Sequence, residues 1–455
     1  MKRSVRAGRN ALVLTLAALT LVVMLTPSAR AVTVERVVSP GGIEAWFVRD
    51  RTVPLLAIEF SFRGGAVHDP KGKAGLANLT AALLDEGAGD MDSQAFQGRL
   101  QNLSIRLGFS ASKDSFSGTV KTLNRNRAEA IRLLRLALTK PRFDSESVER
   151  MRTEILSDIK RRSSRPGDIA QRTWRRAAFR DHPYGAPLSG TETSIQAIGV
   201  PEMRAFLKQR LTKDKLVVGV SGDISKPELA ALLDEAFGGL PDKGAQTPVA
   251  AARAAALGHT FVVRRPVPQS TAVFGLPGLS RDDRDYYAAY VMNHILGGGS
   301  FSSWLYNEVR EKRGLAYSVY SYLNPRKSAP LWMGSVATAN ARMGQSVDLI
   351  KAQIVRMRDQ GVSKEELKNA KLFINGSFPL RFTSTDRIAS ILAALQFHNL
   401  GIDYLDRRVV LIDAVTRQDI ARVSKRLLDP AKLIVTVVGN PEGIKPTAEP
   451  PDIDS

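Results

Sequence analysis

Two apolar segments with nearly the same sequence close the two halves of this chain. "KLVVGVSGDIS" spans residues 215–225 and "KLIVTVVGNPEGI" spans residues 432–444, so the copies lie 217 positions apart. A repeat of this length exceeds the ~20–50-residue period of solenoid proteins and indicates duplicated domains. A chain of 455 residues is also longer than one hydrophobic core normally supports. The duplication therefore predicts two related domains, each completed by its closing strand.

Within each half, strand-like segments come first and helical patterns follow. The first half begins with "IEAWFVRD" and "VPLLAIEFSFRGG", and the second with "HTFVVRRP" and "QSTAVFGLPG". Because the strands precede the helices, we expect an α+β fold in which each half has a mostly antiparallel sheet with helices on one face. The predicted domains are 32–240 and 259–445, joined by an Ala-, Gly- and Pro-rich linker at 241–258 and followed by a disordered tail at 446–455.

The N-terminus is typical of an export signal. Basic residues precede an apolar run from Ala11 to Leu25, and Ala29-Arg30-Ala31 fits the small-x-small cleavage pattern. We therefore expect a signal peptide over residues 1–31, cleavage after Ala31 and a periplasmic location. The alternative is an uncleaved anchor, although the apolar run is shorter than the ~20 residues of a spanning helix.

Composition excludes some chemistries and leaves one charged segment open to interpretation. The chain has no cysteine, which excludes thiolate metal sites and cysteine nucleophiles. Its formal net charge is +20, or +15 without residues 1–31, which hold five basic and no acidic residues. Basic residues concentrate between Lys160 and Arg180 and suit an anionic surface or an acidic partner, with a solvated helix face as the alternative. No nucleic-acid-binding motif accompanies this charge.

Three segments resemble the pitrilysin/insulinase family of zinc peptidases, in the order in which that family carries them. "FRGGAVHDPKGKAGLANL" resembles the strand, turn and helix that hold the family's metal motif, and "HPYGAPLSGTETSI" resembles its HPYG segment. "HILGGGSFSSWLYNEVREKRGLAYSVYSYL" resembles the signature of its second half. The resemblance covers nearly the whole chain after residue 31 and is greatest to the small two-chain bacterial and mitochondrial-processing-type members. It implies two lobes arranged as a clam-shell.

The zinc motif of that family is degenerate in this sequence. At the positions of the two His and the Glu of H-x-x-E-H, the chain has Asn78, Ala82 and Ala81, and Asp158 stands where the more distant Glu falls. A catalytic zinc needs about three protein ligands and one open position. Alanine offers no ligand atom and asparagine binds zinc poorly. Asp158 is then the one remaining ligand, which is too few to hold a zinc ion. We predict no zinc and no hydrolysis by this chain alone; the alternative is a site assembled from distant residues.

The second half keeps two residues that active family members use to bind substrate. "VREKRGLAY" preserves the Arg and Tyr as Arg310 and Tyr317, with Gly314 ending the helix between them. The resemblance implies that they bind the substrate carbonyl and its developing negative charge, and that they face the cavity between the lobes. The alternative is a surface ion pair of Arg310 with Glu308 or Glu311 and a core position for Tyr317.

A glycine-rich segment completes the set of candidate residues. It resembles the glycine-rich loop of the non-catalytic subunit of the mitochondrial processing peptidase, which implies substrate binding by Gly297, Gly298, Gly299, Ser300 and Phe301. A tight turn between helices is the alternative. The resulting prediction is a zinc-less subunit that complements an HxxEH-bearing, zinc-binding partner in cleaving peptides or unfolded polypeptides. The rival prediction is a peptide-binding or assembly protein with no catalytic role.

Overall fold

The computed structural model describes residues 33–453, and the chain from Glu35 onward forms one compact unit. The predicted signal peptide at 1–31 lies outside the described residues. Among residues 33–453, none of the helices combines the length and the apolar character that a membrane span requires.

The first half is built around a six-stranded sheet with the order β1-β2-β6-β3-β5-β4. Its strands are β1 (Glu35–Val38), β2 (Glu44–Arg49), β3 (Leu55–Arg63), β4 (Arg106–Ala111), β5 (Ser115–Leu123) and β6 (Leu216–Gly222). Neighbours are antiparallel except for the parallel pair β2–β6. The closing strand β6 lies inside the sheet, and six of its seven residues are buried, which explains its continuous apolar sequence.

Within the described residues, the first half has eight α-helices. They are α1 (Leu76–Leu83), α2 (Ser93–Asn102), α3 (Arg127–Thr139), α4 (Ser145–Arg162), α5 (Pro166–Ala178), α6 (Glu192–Ala197), α7 (Val200–Arg210) and α8 (Lys226–Phe237). The residues of the predicted linker, 241–258, form no helix or strand.

The second half repeats the plan with five strands in the order β7-β11-β8-β10-β9. They are β7 (Thr260–Arg264), β8 (Gln269–Pro277), β9 (Ala316–Asn324), β10 (Leu331–Ala339) and β11 (Ile434–Gly439). The helices are α9 (Tyr286–Asn293), α10 (Trp304–Tyr306), α11 (Met343–Asp359), α12 (Lys364–Gly376), α13 (Thr385–Phe397), α14 (Tyr404–Asp413) and α15 (Arg417–Leu427). This arrangement of two related α+β halves confirms the predicted fold class.

Each sheet is covered on its second face by a helix that belongs to the other half. Helix α5 of the first half packs on β8 and β11, and the Trp174 indole donates a hydrogen bond to the Ile434 carbonyl oxygen at 3.2 Å. Helix α13 of the second half packs on β3 and β6, and the Gln396 amide donates to the Val218 carbonyl oxygen at 2.6 Å. The sequence predicted helices on one face of each sheet. The exchanged helices cover the second face as well.

Glycines in the sheets make room for the exchanged helices. A Cβ at Gly219 in β6 would lie 2.1 Å from the Ala389 carbonyl oxygen, and one at Gly275 in β8 would lie 2.7 Å from Cζ2 of Trp174. Only glycine permits such a close approach. The two halves are therefore held together by reciprocal helix packing in addition to the linker.

The described part of the C-terminal tail differs from the expected disorder. The Thr447 amide donates to the Thr260 carbonyl oxygen at 2.9 Å. Ala448 and Ile453 pack against the apolar cluster around α5. These two apolar side chains gain burial that a solvated tail would lack, which accounts for the ordered path of residues 446–453.

Candidate functional site

Helix α1 occupies the place of the family's zinc-motif helix. The Asp69 carboxylate accepts hydrogen bonds from the backbone amides of Gly75 and Ala77, at 2.9 and 3.0 Å, and so caps the first turn. Burial raises the pKa of Asp69 to about 6, and the backbone hydrogen bonds oppose this rise. The helix that would hold the metal is thus formed and anchored.

The side chains on this helix offer no metal site. Asn78 and Ala82 are half-buried one turn apart, and Ala81 is buried. Asp158 lies on α4, which packs against α1, and its carboxylate is paired with Arg161 and Arg162 of its own helix. Over residues 33–453, no three His, Asp or Glu side chains are grouped so that they could hold a metal ion.

The second half brings Arg310 and Tyr317 together. The guanidinium carbon of Arg310 lies 4.8 Å from the ring centre of Tyr317, which is a cation–π distance. Glu308 is paired with Lys312 and Arg313 instead of Arg310. Tyr317 is 82% exposed. The structure therefore places neither Arg310 in an ion pair with Glu308 nor Tyr317 in the core.

Gly314 turns the chain between these two residues. It adopts a left-handed φ of +57°, and its amide donates to the Arg310 carbonyl oxygen at 2.8 Å. The sequence predicted this helix-ending role for Gly314. The turn allows Arg310 on the helical turn Asn307–Glu311 and Tyr317 on β9 to reach the same surface.

A β-bulge sets the position of Tyr317. In the pairing of β9 with β10, Ala316 lies opposite Thr338, whereas Ser318 lies opposite Ala337. Tyr317 is therefore the extra residue in the register. Bulges redirect side chains at the edges of sheets, and β9 is the edge strand of the second sheet. The bulge explains how a residue within a strand can be so exposed.

The glycine-rich segment lies beside the Arg310–Tyr317 pair. A Cβ at Gly297 would lie 2.4 Å from the Ser321 hydroxyl oxygen, so this segment lies directly against β9. Phe301 is 72% exposed, and its ring contacts the ring of Tyr306 edge-on with centres 4.9 Å apart.

Tyr306 connects the two groups of predicted residues. The guanidinium carbon of Arg310 lies 4.9 Å from the Tyr306 ring centre, so Phe301, Tyr306, Arg310 and Tyr317 form one continuous row, which we call the aromatic–arginine row. Tyr306 is not among the site residues predicted from the sequence. Its i, i+4 spacing from Arg310 is the signal that could have identified it, because such residues are neighbours on a helix.

The Arg310–Tyr317 pair lies at an open pocket of about 620 Å³ on the second half, which is also lined by Gln269, Glu311 and Arg342. A larger cavity of about 1210 Å³ lies between the two halves, and neither Arg310 nor Tyr317 lines it. The expectation that the pair faces the cavity between the lobes is therefore wrong for this chain. The physical reason is that the bulge occurs on an edge strand, which projects the pair outward. A guanidinium and a phenol on one open surface can together bind an oxyanion.

Two family models match the chain. The model described as "Insulinase (Peptidase family M16)" matches residues 48–192, and the model described as "Peptidase M16 inactive domain" matches residues 197–372. The crystal structure of a peptidase M16 inactive domain from Pseudomonas fluorescens superposes with a TM-score of 0.84 and 26% identity, covering 91% of this chain and 99% of that chain.

Two bacterial relatives of similar length carry different descriptions. The "Non-peptidase homolog YmxG" of Helicobacter pylori is 29% identical over 337 residues, covering 74% of this chain and 77% of that protein. The "Uncharacterized zinc protease YmxG" of Bacillus subtilis is 24% identical over 355 residues, covering 78% and 85% of the two chains. Together, these matches show that this chain belongs to the insulinase family of M16 peptidases.

Proposed function

We propose that this chain is the zinc-less subunit of a two-chain, periplasmic M16 peptidase. An HxxEH-bearing partner supplies the zinc and the general base. This chain supplies Arg310, Tyr317 and half of the wall of the chamber that encloses a peptide or unfolded polypeptide. The observation that supports the proposal most strongly is an asymmetry: the metal positions lack ligands, whereas the Arg310–Tyr317 pair is assembled and exposed.

The side chains of Arg310 and Tyr317 are suited to stabilising a negative charge on the substrate, and less to transferring a proton. A guanidinium stays protonated in proteins, so Arg310 acts as a fixed positive charge with several donors. The Tyr317 hydroxyl adds a donor on the same surface. Among the described residues, Arg310 forms no ion pair, so its charge is available to an oxyanion that develops on a bound peptide.

The location of the pair favours action on a reaction centre that another chain provides. The pocket opens at the edge of the second sheet, away from the cavity between the halves. A peptide held against the partner's zinc can reach this surface, and the exposed Phe301 ring offers it an apolar contact next to the glycine-rich segment.

Reconstitution tests the proposal. The chain is purified alone and together with an HxxEH-bearing M16 protein encoded beside it, and peptide hydrolysis and zinc content are measured. We expect no turnover by this chain alone and turnover by the pair, with the zinc in the partner. A complex that binds peptide without hydrolysing it would instead support the assembly or peptide-binding role, and turnover by the isolated chain would contradict both.

A further inference from the structure

The cavity between the two halves is rich in cations. Residues from the first half, the linker and the second half line its volume of about 1210 Å³. The partly or fully buried basic residues on its wall are Arg63, Arg210, Lys215, Arg281 and Arg326. This cavity is separate from the pocket of Arg310 and Tyr317, and nothing in the proposed peptidase role uses it.

The basic groups from the first half are hydrogen-bonded to neutral atoms. The Arg63 guanidinium donates to the carbonyl oxygens of Phe397 and Gln396, at 2.7 and 2.8 Å. Arg210, which is 7% exposed, and Lys215, which is 9% exposed, both donate to the Ala245 carbonyl oxygen. Carbonyl oxygens satisfy the donors but leave the positive charge of each group in place.

Arg281 of the second half has an unused donor. Its guanidinium carbon lies 4.1 Å from the ring centre of Tyr286, and one nitrogen donates to the Tyr404 hydroxyl at 2.8 Å. The other terminal nitrogen, Nη1, is buried and has no hydrogen-bond partner. Buried donors of a charged group normally have an acceptor, so the positive charge at this nitrogen is not compensated by an oxygen of the described residues.

The acidic residues of the cavity offset only part of this charge. They are Asp114, Asp214, Asp282 and Asp283. Asp114 accepts a hydrogen bond from the Tyr184 hydroxyl, and Asp214 accepts from Thr212 and Gln246. Asp283 is paired with Arg426, and Asp282 is exposed at the rim. Across residues 33–453, none of the five basic groups on the wall is paired with a carboxylate.

Burial, together with neighbouring positive charges, lowers the pKa of two histidines on the cavity wall. Burial and then the charges of Arg210 and Lys215 lower the pKa of His68 to about 4, with Lys327 adding to the effect and Asp114 opposing it. The pKa of His398 is also lowered, first by burial and then by Arg281 and Arg63. The two imidazoles lie on different halves, so the potential extends across the cavity.

We propose that this cavity binds a small polyanion, a molecule that carries at least two phosphate or carboxylate groups. The cations come from both halves, so a ligand with several charged groups can pair with more of them than a single ion can. Guanidinium groups bind both kinds of oxyanion through paired hydrogen bonds. The cavity of about 1210 Å³ is somewhat larger than the ~300–1,000 Å³ typical of small-ligand sites and so has room for such a molecule. The exposed residues Gln246 and Lys327 at the rim leave it open to solvent.

Calorimetric titration of the purified chain with tripolyphosphate and with citrate, at matched ionic strength, tests the proposal. We expect saturable binding of at least one of them, and the active compound identifies the oxyanion class. Arg210→Gln and Arg281→Gln should each weaken binding at least ~10-fold, as loss of a charge-assisted hydrogen bond does. Arg264→Gln, an exposed arginine outside the cavity, is the matched control and should leave affinity unchanged.

A second measurement does not depend on the folding of any variant. A bound anion stabilises the protonated imidazole, so the pKa of His68, followed by NMR in the wild-type chain, should rise when the polyanion is added. Absence of saturable binding to the wild type, an unchanged His68 pKa, or an equal loss of affinity in Arg264→Gln would overturn the proposal. None of these results bears on the peptidase role, because no readout uses hydrolysis.

Discussion

A Cβ atom on Gly219 would lie 2.1 Å from the carbonyl oxygen of Ala389, although these residues belong to different halves of the chain. The Gly219→Ala change must therefore displace α13 from the sheet. We expect a loss of about 1–3 kcal/mol in the free energy of unfolding, as overpacking typically costs. Denaturant unfolding measures this loss. Gly108→Ala on the edge strand β4, where a Cβ would meet nothing within 4 Å, is the control; equal effects would argue against tight packing of α13.

Trp174 should stabilise the sheet of the other half more than that of its own. It is fully buried and contacts β8 and β11. Trp174→Ala should cost about 3–5 kcal/mol, as large-to-small core changes do. Hydrogen exchange should accelerate first in β8 and β11. Phe96→Ala, a fully buried residue of the first core, should instead accelerate exchange in the first half; the same exchange pattern in both variants would contradict the helix exchange.

The pair of Arg310 and Tyr317 should affect the rate of the reconstituted peptidase. Arg310→Ala and Tyr317→Phe should each lower kcat of the two-chain enzyme by ~10²-fold, because each removes a donor to the developing oxyanion. Tyr320→Phe removes a hydroxyl from another exposed tyrosine of β9 and is the matched control. Steady-state kinetics of the complex measure the effect. Unchanged kcat in the first two variants would rule out their role in trans.

Restoring the motif should restore metal binding. The combined change Asn78→His, Ala81→Glu and Ala82→His places two imidazoles one helical turn apart, near the helix that carries Asp158. With Asp158 as third ligand, we expect about one zinc per chain by atomic absorption, against none in the wild type. The same variant without Ala82→His is the control and should bind little. If the full variant takes up no zinc, the missing ligands are not the sole reason why the wild-type chain lacks a zinc site.

His68 should make stability depend on pH. Its pKa is lowered from 6.5 to about 4 in the folded chain, so the unfolded chain binds more protons between these values. Its contribution therefore lowers stability as pH falls from 6.5 to 4 and is constant above 6.5. The free energy of unfolding is measured with denaturant at pH 4.5 and at pH 7.5. The loss of stability between pH 7.5 and pH 4.5 should be smaller for His68→Gln than for the wild type.

Asp69 should act in the opposite direction over an overlapping range. Its pKa is raised from 3.8 to about 6, so the folded chain binds more protons between these values and stability falls as pH rises through them. Asp69→Asn keeps a capping oxygen and removes this dependence. Comparison of Asp69→Asn with His68→Gln separates the two contributions, and parallel pH profiles of both variants and the wild type would contradict the assigned pKa directions.

The sequence was sufficient for features that depend on local pattern. The buried position of β6 follows from its continuous apolar residues, and the role of Gly314 follows from its place after a helix. The proximity of Arg310 to Tyr317 followed from the family resemblance. The β-bulge could not be predicted, because it depends on the register of β9 against β10. The outward orientation of the pair depends on the same register.

The helix exchange was also beyond a sequence analysis. Apolar residues of α5 such as Trp174 predict burial, but they do not specify which sheet covers them. That choice is made by glycines about one hundred or more positions away, Gly275 for α5 and Gly219 for α13. Long-range complementarity of this kind is not visible in the periodicity of a single segment.

The exchanged helices α5 and α13 explain why the two halves of this duplicated chain depend on each other. One lobe alone would leave an apolar sheet face in water, and an identical second lobe could cover it with the equivalent helix. The present chain is thus the covalently joined counterpart of a symmetric domain-swapped dimer. Cutting the linker should yield two fragments that stay associated, and neither fragment should fold when it is produced by itself.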